Sequence, residues 1–400
     1  MSAAPPNLYS RTLLYGCAAL VALYGWFLAA AWAHGYSLLA PTNGPANFDF
    51  SAFWAAGRLA SHGQAQAAYQ WDHLEEVLQR ALGRSFAIQV LPWFYPPIFL
   101  LAVTPLGLLP YGTAAALWLG ATLAAYLAAA RAILPGGTAA FASLAAPAVA
   151  FNLWSGQNGL LTAALLGGGL FLLDASPVAS GILFGLLCYK PQFGLLLPLF
   201  LAATGRWRVF FAAAATVLTL VSLTAAAFGW QIFAIFLGAL HTANDMNLGA
   251  GRQLGHVAWS HLQSVYGMLR ALGAAGGVAW AAQILVSLGA GGVALAVAAR
   301  GVSPSLEAAL VATAAFVVTP YSQTYDLTVP TLGLAFLVRD GLEGGFRPWE
   351  KPALLAVFLL PLGFLSLRSM VGLGPLTSAL LAAVIAARGK RQLLPASIIS

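Results

Sequence analysis

Charge is the scarcest property of this sequence. Asp, Glu, Lys and Arg make up 7% of its 400 residues, against about 25% in ordinary soluble domains. That excludes the two or three soluble domains such a length ordinarily holds. Cysteine is nearly missing too. Cys17 and Cys188 both lie in apolar runs, which argues against a disulfide scaffold and against a thiolate metal site. Alternating segments of about ten residues are not seen, so a membrane β-barrel is not indicated. No internal repeat stands out. What fills the chain is hydrophobic residues, 60% of the total, with a mean hydropathy of +0.83. At about 20 residues per spanning helix this allows roughly twelve spans. The expected fold class is an all-α polytopic membrane protein with about twelve transmembrane helices, a single integral membrane domain over residues 1–400. The pI of 9.6 does not imply nucleic acid, because basic residues spread over many short loops read as topology signals.

The first apolar run, 12–33, is too long for a cleaved leader and reads as a retained span. The next segment, 34–95, is the longest non-spanning stretch and reads as the first extracytoplasmic loop. Two amphipathic juxtamembrane helices are expected inside it. One covers 52–59 and offers Phe53 and Trp54 to a membrane surface. The other covers 66–82, with Trp71, Leu74, Leu78 and Leu82 on one stripe. Paired prolines open the short apolar piece 96–110, which reads as a re-entrant or half-buried helix. Further spans are expected at 113–130, 139–154, 160–173, 181–189, 193–203, 209–228, 278–299, 306–318, 327–338, 354–365 and 371–386. A second extracytoplasmic segment lies at 229–272. With both termini cytoplasmic, the short inner loops receive most of the basic residues, among them Arg131, Arg206, Arg208, Arg300, Arg339 and Arg388, as the positive-inside tendency requires. The six histidines then fall outside, and the working face is expected to be the periplasmic or exterior side of a bacterial inner membrane.

Certain polar residues resist a bland reading. Asp49 sits between Phe48 and Phe50 at the bilayer edge, where a carboxylate is expensive unless used or paired. Its alternative is a cap on the following helix. Lys190 breaks an apolar hairpin beside Pro191 and Gln192, and suits a lipid phosphate as a point charge. Its alternative is snorkelling. Gln157 and Asn158 form a polar break that could bond sugar hydroxyls, or an ordinary Asn-Gly turn. Tyr321, Tyr325 and Asp326 suit a sugar ring, though an interfacial aromatic belt would explain the tyrosines. The histidines, including His256 and His261, lack metal-ligand spacing.

These residues fall in five ordered motifs: Asp49-Phe50 through Phe53-Trp54 to Leu59; Tyr95-Pro96-Pro97; Gly156-Gln157-Asn158-Gly159; Lys190-Pro191-Gln192 with Gly205-Arg206; and Thr319-Pro320-Tyr321 with Tyr325-Asp326. Together they resemble glycosyltransferase family 87, over about 49–337. The resemblance implies a C-type glycosyltransferase fold. It implies an inverting transfer from a polyprenyl-phosphate sugar, typically mannose, to a lipid or glycan acceptor. It places Asp49 as general base and Lys190, with Arg58, at the donor phosphate. Tyr95, Gln157, Asn158, Gln192, His256, Tyr321, Tyr325 and Asp326 are then candidates for sugar or acceptor binding. An acid expected after the third span is replaced here by Gln157-Asn158. No cofactor and no metal are therefore expected, the lipid-linked sugar being a co-substrate. A transporter or flippase of a lipid-linked sugar is the competing reading; it calls for repeated halves and polar residues near the midplane.

Overall fold

The computed structural model describes residues 11–34, 49–82, 93–248, 259–365 and 371–393. Among these there is no strand, only an isolated antiparallel bridge between Leu262 and Gln323. Four helices are long and apolar enough to cross a membrane: α1 (Arg11–Ala33), α5 (Tyr111–Ile133), α11 (Trp207–Phe228) and α14 (Gly276–Ala298). Phe211, Leu218, Val278, Leu285 and Leu288 point outward from the last two. A helix that is apolar on its outer side needs an apolar solvent there. A fifth crossing exists if α6 (Gly137–Leu144) and α7 (Pro147–Ser155) count as one bent by 55°. The bend falls just before Pro147, whose ring disfavours helical geometry at the residue before it.

Twelve full-length spans are therefore not what the described residues contain. The other apolar segments are short helices. They include α8 (Gly159–Leu172), α9 (Pro177–Leu186), α10 (Leu197–Ala203) and α15 (Pro304–Val318). The helix α16 (Thr328–Gly344) follows, then α17 (Glu350–Leu359) and α18 (Leu373–Leu393). The segment expected to lie outside at 229–272 carries two helices among its described residues, α12 (Gln231–Leu248) and α13 (Val265–Ala271).

The first polar segment corrects an expectation. Its helix α2 (Phe50–Ser61) does not lie on a membrane surface. Phe53 and Trp54 are 1% and 4% exposed. The reason is the helix α4 (Ile98–Gly107), which crosses α2 where Gly57 faces Val103 and Gly107, so closely that a Cβ on either glycine would collide with backbone. Phe53 then meets Phe99 and Trp118 edge-on. In α3 (Trp71–Leu82), Leu74 and Leu78 are buried while Trp71 stays exposed.

Polar contacts gather at two opposite ends. At one, Arg206 pairs with Asp174 and Glu307, Arg388 joins Asp340 and Glu350, and Arg339 donates to the carbonyl of Ile133. Asp174 follows the C-terminus of α8, Glu307 opens α15, and Asp340 closes α16. The other ends of those same three helices hold Asn158, Thr319 and Asp326. Three buried helices thus run between a basic end and the end described next.

Candidate functional site

Asp49 directly precedes α2 but does not cap it: its side chain makes no bond to the helix N-terminus. Its backbone N–H donates to Ser155 O at 2.8 Å. Its Oδ2 accepts from Gln157 Nε2 at 2.8 Å. The capping alternative is thereby excluded, and the carboxylate is turned onto the α7–α8 turn. Gln157 Oε1 accepts in turn from the Tyr95 hydroxyl at 3.2 Å. The half-buried carboxyl is packed in protein, and burial pushes it up to about 7, the Gln157 bond opposing.

The turn that carries Gln157 and Asn158 is built for close approach. Gly156 has φ 72°, a left-handed conformation that glycine adopts without strain. A Cβ on Gly159 would run into the carbonyl of Tyr325, so α8 starts hard against the segment bearing Asp326. Asn152, with its amide turned to satisfy both ends, donates to Gln157 O at 3.0 Å and accepts from Gly159 N–H at 2.8 Å. Asn158 then lies with its Oδ1 accepting from Lys190 Nζ at 3.1 Å. Its Nδ2 is buried with no hydrogen-bond partner among the described residues.

Lys190 stands between two short 3-10 turns, Leu187–Tyr189 and Pro191–Phe193, that close the hairpin of α9 and α10. It does not snorkel. It is 3% exposed and donates to Asp326 Oδ1 at 2.5 Å. Its ammonium lies 4.7 Å from the Tyr325 ring centroid and 5.2 Å from that of Phe193, both within cation–π range. Asp326 is held from behind: its Oδ2 accepts from Gln323 N–H at 3.0 Å. Burial pushes the Lys190 ammonium down and the Asp326 carboxyl up, each tempered by the other. Burial, then Asp326 and Asp49, also hold the Tyr95 phenol well above its ordinary value. One phenol thus feels both carboxylates, so the two belong to one site.

Beneath this chain lies an aromatic wall. Phe99 stacks on Tyr189 at 4.7 Å between centroids and packs on Tyr95 at 4.9 Å. Tyr189 shares a bond of 2.6 Å with Thr162. The arrangement offers a base-strength carboxylate, a buried ammonium and an unpartnered amide donor along one wall of rings, a surface suited to a sugar and a phosphate.

The candidate residues do not all converge. Asp49, Gln157, Tyr95, Asn158, Lys190, Asp326 and Tyr325 form one connected cluster. Arg58 lies elsewhere, donating to Gly107 O at 3.1 Å with its guanidinium over Trp54. Tyr321 donates to Asn244 Oδ1 at 2.7 Å, in a smaller cluster with Leu262 and Tyr266. Gln192 is half-buried and no hydrogen bond joins it to the cluster. His256 lies outside the described residues. Asn152, Thr162 and Tyr189 support the site without having been singled out by their chemistry. The available signal was a lone Asn in an apolar helix, which is expensive unless bonded.

Comparison with known families matches residues 93–320 to glycosyltransferase family 87. No curated protein and no solved structure matches. The matched stretch contains Tyr95, Gln157, Asn158 and Lys190. Asp49 and Asp326 fall outside it and are tied to it by the bonds just given.

Proposed function

Because the chain belongs to glycosyltransferase family 87, and is on that ground a membrane glycosyltransferase, we propose that it moves a hexose, mannose by preference, from a polyprenyl phosphate to a lipid or glycan acceptor with inversion at the anomeric carbon. The observation that carries this reading is the Gln157-Asn158 turn. One of its side chains grips Asp49 and the next grips Lys190, so adjacent residues hold a base and a phosphate cation at a fixed separation.

Asp49 takes the acceptor hydroxyl proton as that oxygen attacks the anomeric carbon. The bond from that carbon to the phosphate oxygen breaks, and the electron pair leaves with the phosphate. Negative charge passes from Asp49 to polyprenyl phosphate, where the Lys190 ammonium and the Asn158 amide receive it. Fixed donors of this kind act most strongly where water is excluded. A carboxyl held at about 7 is matched to proton abstraction near neutrality.

The two-ended arrangement supports an orientation with the basic end cytoplasmic and the Asp49 end periplasmic or exterior. Four helices, or five with the bent α6–α7 pair, are long and apolar enough to cross a membrane, and the shorter apolar helices between the two ends are proposed to complete the passes through a bacterial inner membrane. The 14-residue α8 spans about 21 Å, less than the hydrocarbon core of about 30 Å. A helix this short supports a site set below the outer boundary, where a lipid-linked donor could enter sideways. The transporter reading gains nothing from the polar cluster, which lies at one end of α8, α15 and α16 and not between repeated halves.

Metal independence is part of the proposal. Among the described residues no three His, Cys, Asp or Glu side chains gather, and Asp326 is committed to Lys190. The test is mannose transfer from polyprenyl-phosphate mannose to an extract of membrane lipids, run in EDTA. Continued transfer is expected. Loss of transfer restored only by Mg²⁺ or Mn²⁺ contradicts the mechanism, and absence of transfer from any polyprenyl-phosphate hexose contradicts the donor class.

A further inference from the structure

The cation assigned to the donor phosphate is already neutralised. Lys190 and Asp326 are 3% and 0% exposed, and their bond is direct. Two of the three ammonium N–H groups go to Asp326 and Asn158, and the aromatic faces of Phe193 and Tyr325 cover the rest. A phosphodiester brings one negative charge. If Asp326 stayed ionised, two anions would share one cation in a site with little water, where repulsion between like charges is strongest. Among the described residues, Lys190 is the one cation that acts on Asp326. The titratable groups facing the pair are Tyr95 from the Trp93–Pro97 segment, Tyr189 and Tyr325 beside it, and Asp49 across the Gln157 bridge. His261 lies on the segment laid over Thr324, its carbonyl accepting from that hydroxyl. None brings a positive charge into contact with Asp326.

We propose that Asp326 is a proton-accepting counter-ion: it shares Lys190 in the empty site and, on arrival of the donor phosphate, takes one proton from solvent and cedes the ammonium to the phosphate. The geometry suits this exchange. Asp326 Oδ2 keeps the Gln323 N–H in either state, so the side chain stays anchored while Oδ1 changes from acceptor to hydroxyl. The new hydroxyl can donate to the phosphate or to Asn158 Oδ1. The Asn158 Nδ2, buried without a partner, supplies the second donor to the phosphate. Charge balances: a phosphodiester anion and a proton enter together, and the net charge of the buried site is unchanged. The proton count is the same whether the empty pair is ionic or has passed its proton across the bond. Burial pushing the Asp326 carboxyl up favours the same direction. Asp326 is in this account a positioning residue that acts through Lys190.

This inference rests on the donor assignment above, and the test separates the two. The probe is polyprenyl-phosphate mannose, whose phosphodiester does not titrate near neutrality. Its binding is measured by calorimetry near pH 7 in buffers of differing ionisation enthalpy. The protein carries Asp49→Asn, so that position 49 adds no proton of its own, and no acceptor is supplied, so that the donor is not consumed. About one proton taken up per donor bound is expected, with the dissociation constant rising about tenfold per pH unit over the range where that uptake holds. Binding with no proton uptake overturns the inference and leaves the donor assignment standing. No binding at all overturns the donor assignment and the inference with it. In a second arm, Asp326→Asn mimics the protonated state and keeps an acceptor for Gln323. This variant, with an unchanged melting temperature, is expected to bind the donor at least as tightly as the parent. Binding weakened tenfold or more in such a folded variant also overturns the inference.

Discussion

In the proposed mechanism Asp49 is the base, and its environment sets a pH dependence. Burial raises its carboxyl to about 7, against the bond from Gln157. The base works deprotonated, so turnover should fall about tenfold per pH unit below that value and level off above it. The readout is initial transfer rate at saturating donor; a rate flat from pH 5.5 to 8 contradicts the assignment. The stability sign runs the other way. A carboxyl raised above its unfolded value stabilises the fold at low pH and loses that contribution as pH rises through 7. An uncharged Asn at this position should accordingly not lower the melting temperature at pH 8. Asp49 and Lys190 were legible in the sequence as lone charges in apolar surroundings. Their partners were not. Asp326 is 136 positions from Lys190 and Gln157 is 108 from Asp49, and no local pattern relates residues so far apart. Arg58 shows the converse: a basic residue near Asp49 in sequence, drawn by its helix to the Gly107 carbonyl.

Elements position the acid by close backbone contact. The α2–α4 crossing at Gly57 and Gly107 leaves no room for a side chain, and it holds Phe50, Phe53 and with them Asp49 in place. Gly57→Val should force the two helices apart, destabilising by about 1–3 kcal/mol as overpacking does, and cut transfer at least tenfold. Gly120→Ala, where a Cβ meets nothing, is the control and should leave both unchanged. Equal melting temperature and activity in the Gly57 variant would remove the crossing from the account. This contact also explains why Phe53 and Trp54 of the first polar segment are buried and not offered to a membrane surface. Aromatic residues near a bilayer edge ordinarily mark an interfacial belt. Here Gly57 lets α4 dock closely on α2, and the rings turn inward. Length was legible for α1, α5, α11 and α14. It was legible too for α8 and α9, expected at 160–173 and 181–189 and found at Gly159–Leu172 and Pro177–Leu186, while α10 is shorter than its expected 193–203 because the Pro191–Phe193 turn takes its start.

At the scale of the whole molecule, the arginine clusters and the Asp49–Lys190–Asp326 cluster lie at opposite ends of the same helices. Arg206 bonds Glu307 through two N–H groups at 3.0 and 2.8 Å, fixing the end of the α9–α10 hairpin whose other end carries Lys190. The orientation is checked by single cysteines at Gln66 and Lys390 in a chain lacking Cys17 and Cys188. A membrane-impermeant maleimide applied to intact cells stripped of their outer membrane should label position 66 and spare position 390. Labelling of both, or of position 390 alone, reverses the proposed topology. Basic residues in short loops are the signal in the sequence that motivates this sidedness. No such signal speaks to the depth proposed for the site, which rests on how α8 and α15 are cut short by turns that only the fold brings together.

The most direct test of the central claim is transfer by Asp49→Asn. The substitution keeps the shape and an acceptor for Gln157 while removing the charge and the proton-accepting oxygen. General-base catalysis supplies about 10²–10⁴-fold, so the variant should bind polyprenyl-phosphate mannose as the parent does, melt no lower at pH 8, and lose turnover by at least 100-fold. A folded, donor-binding Asp49→Asn protein with near-parental turnover would show that Asp49 is not the base.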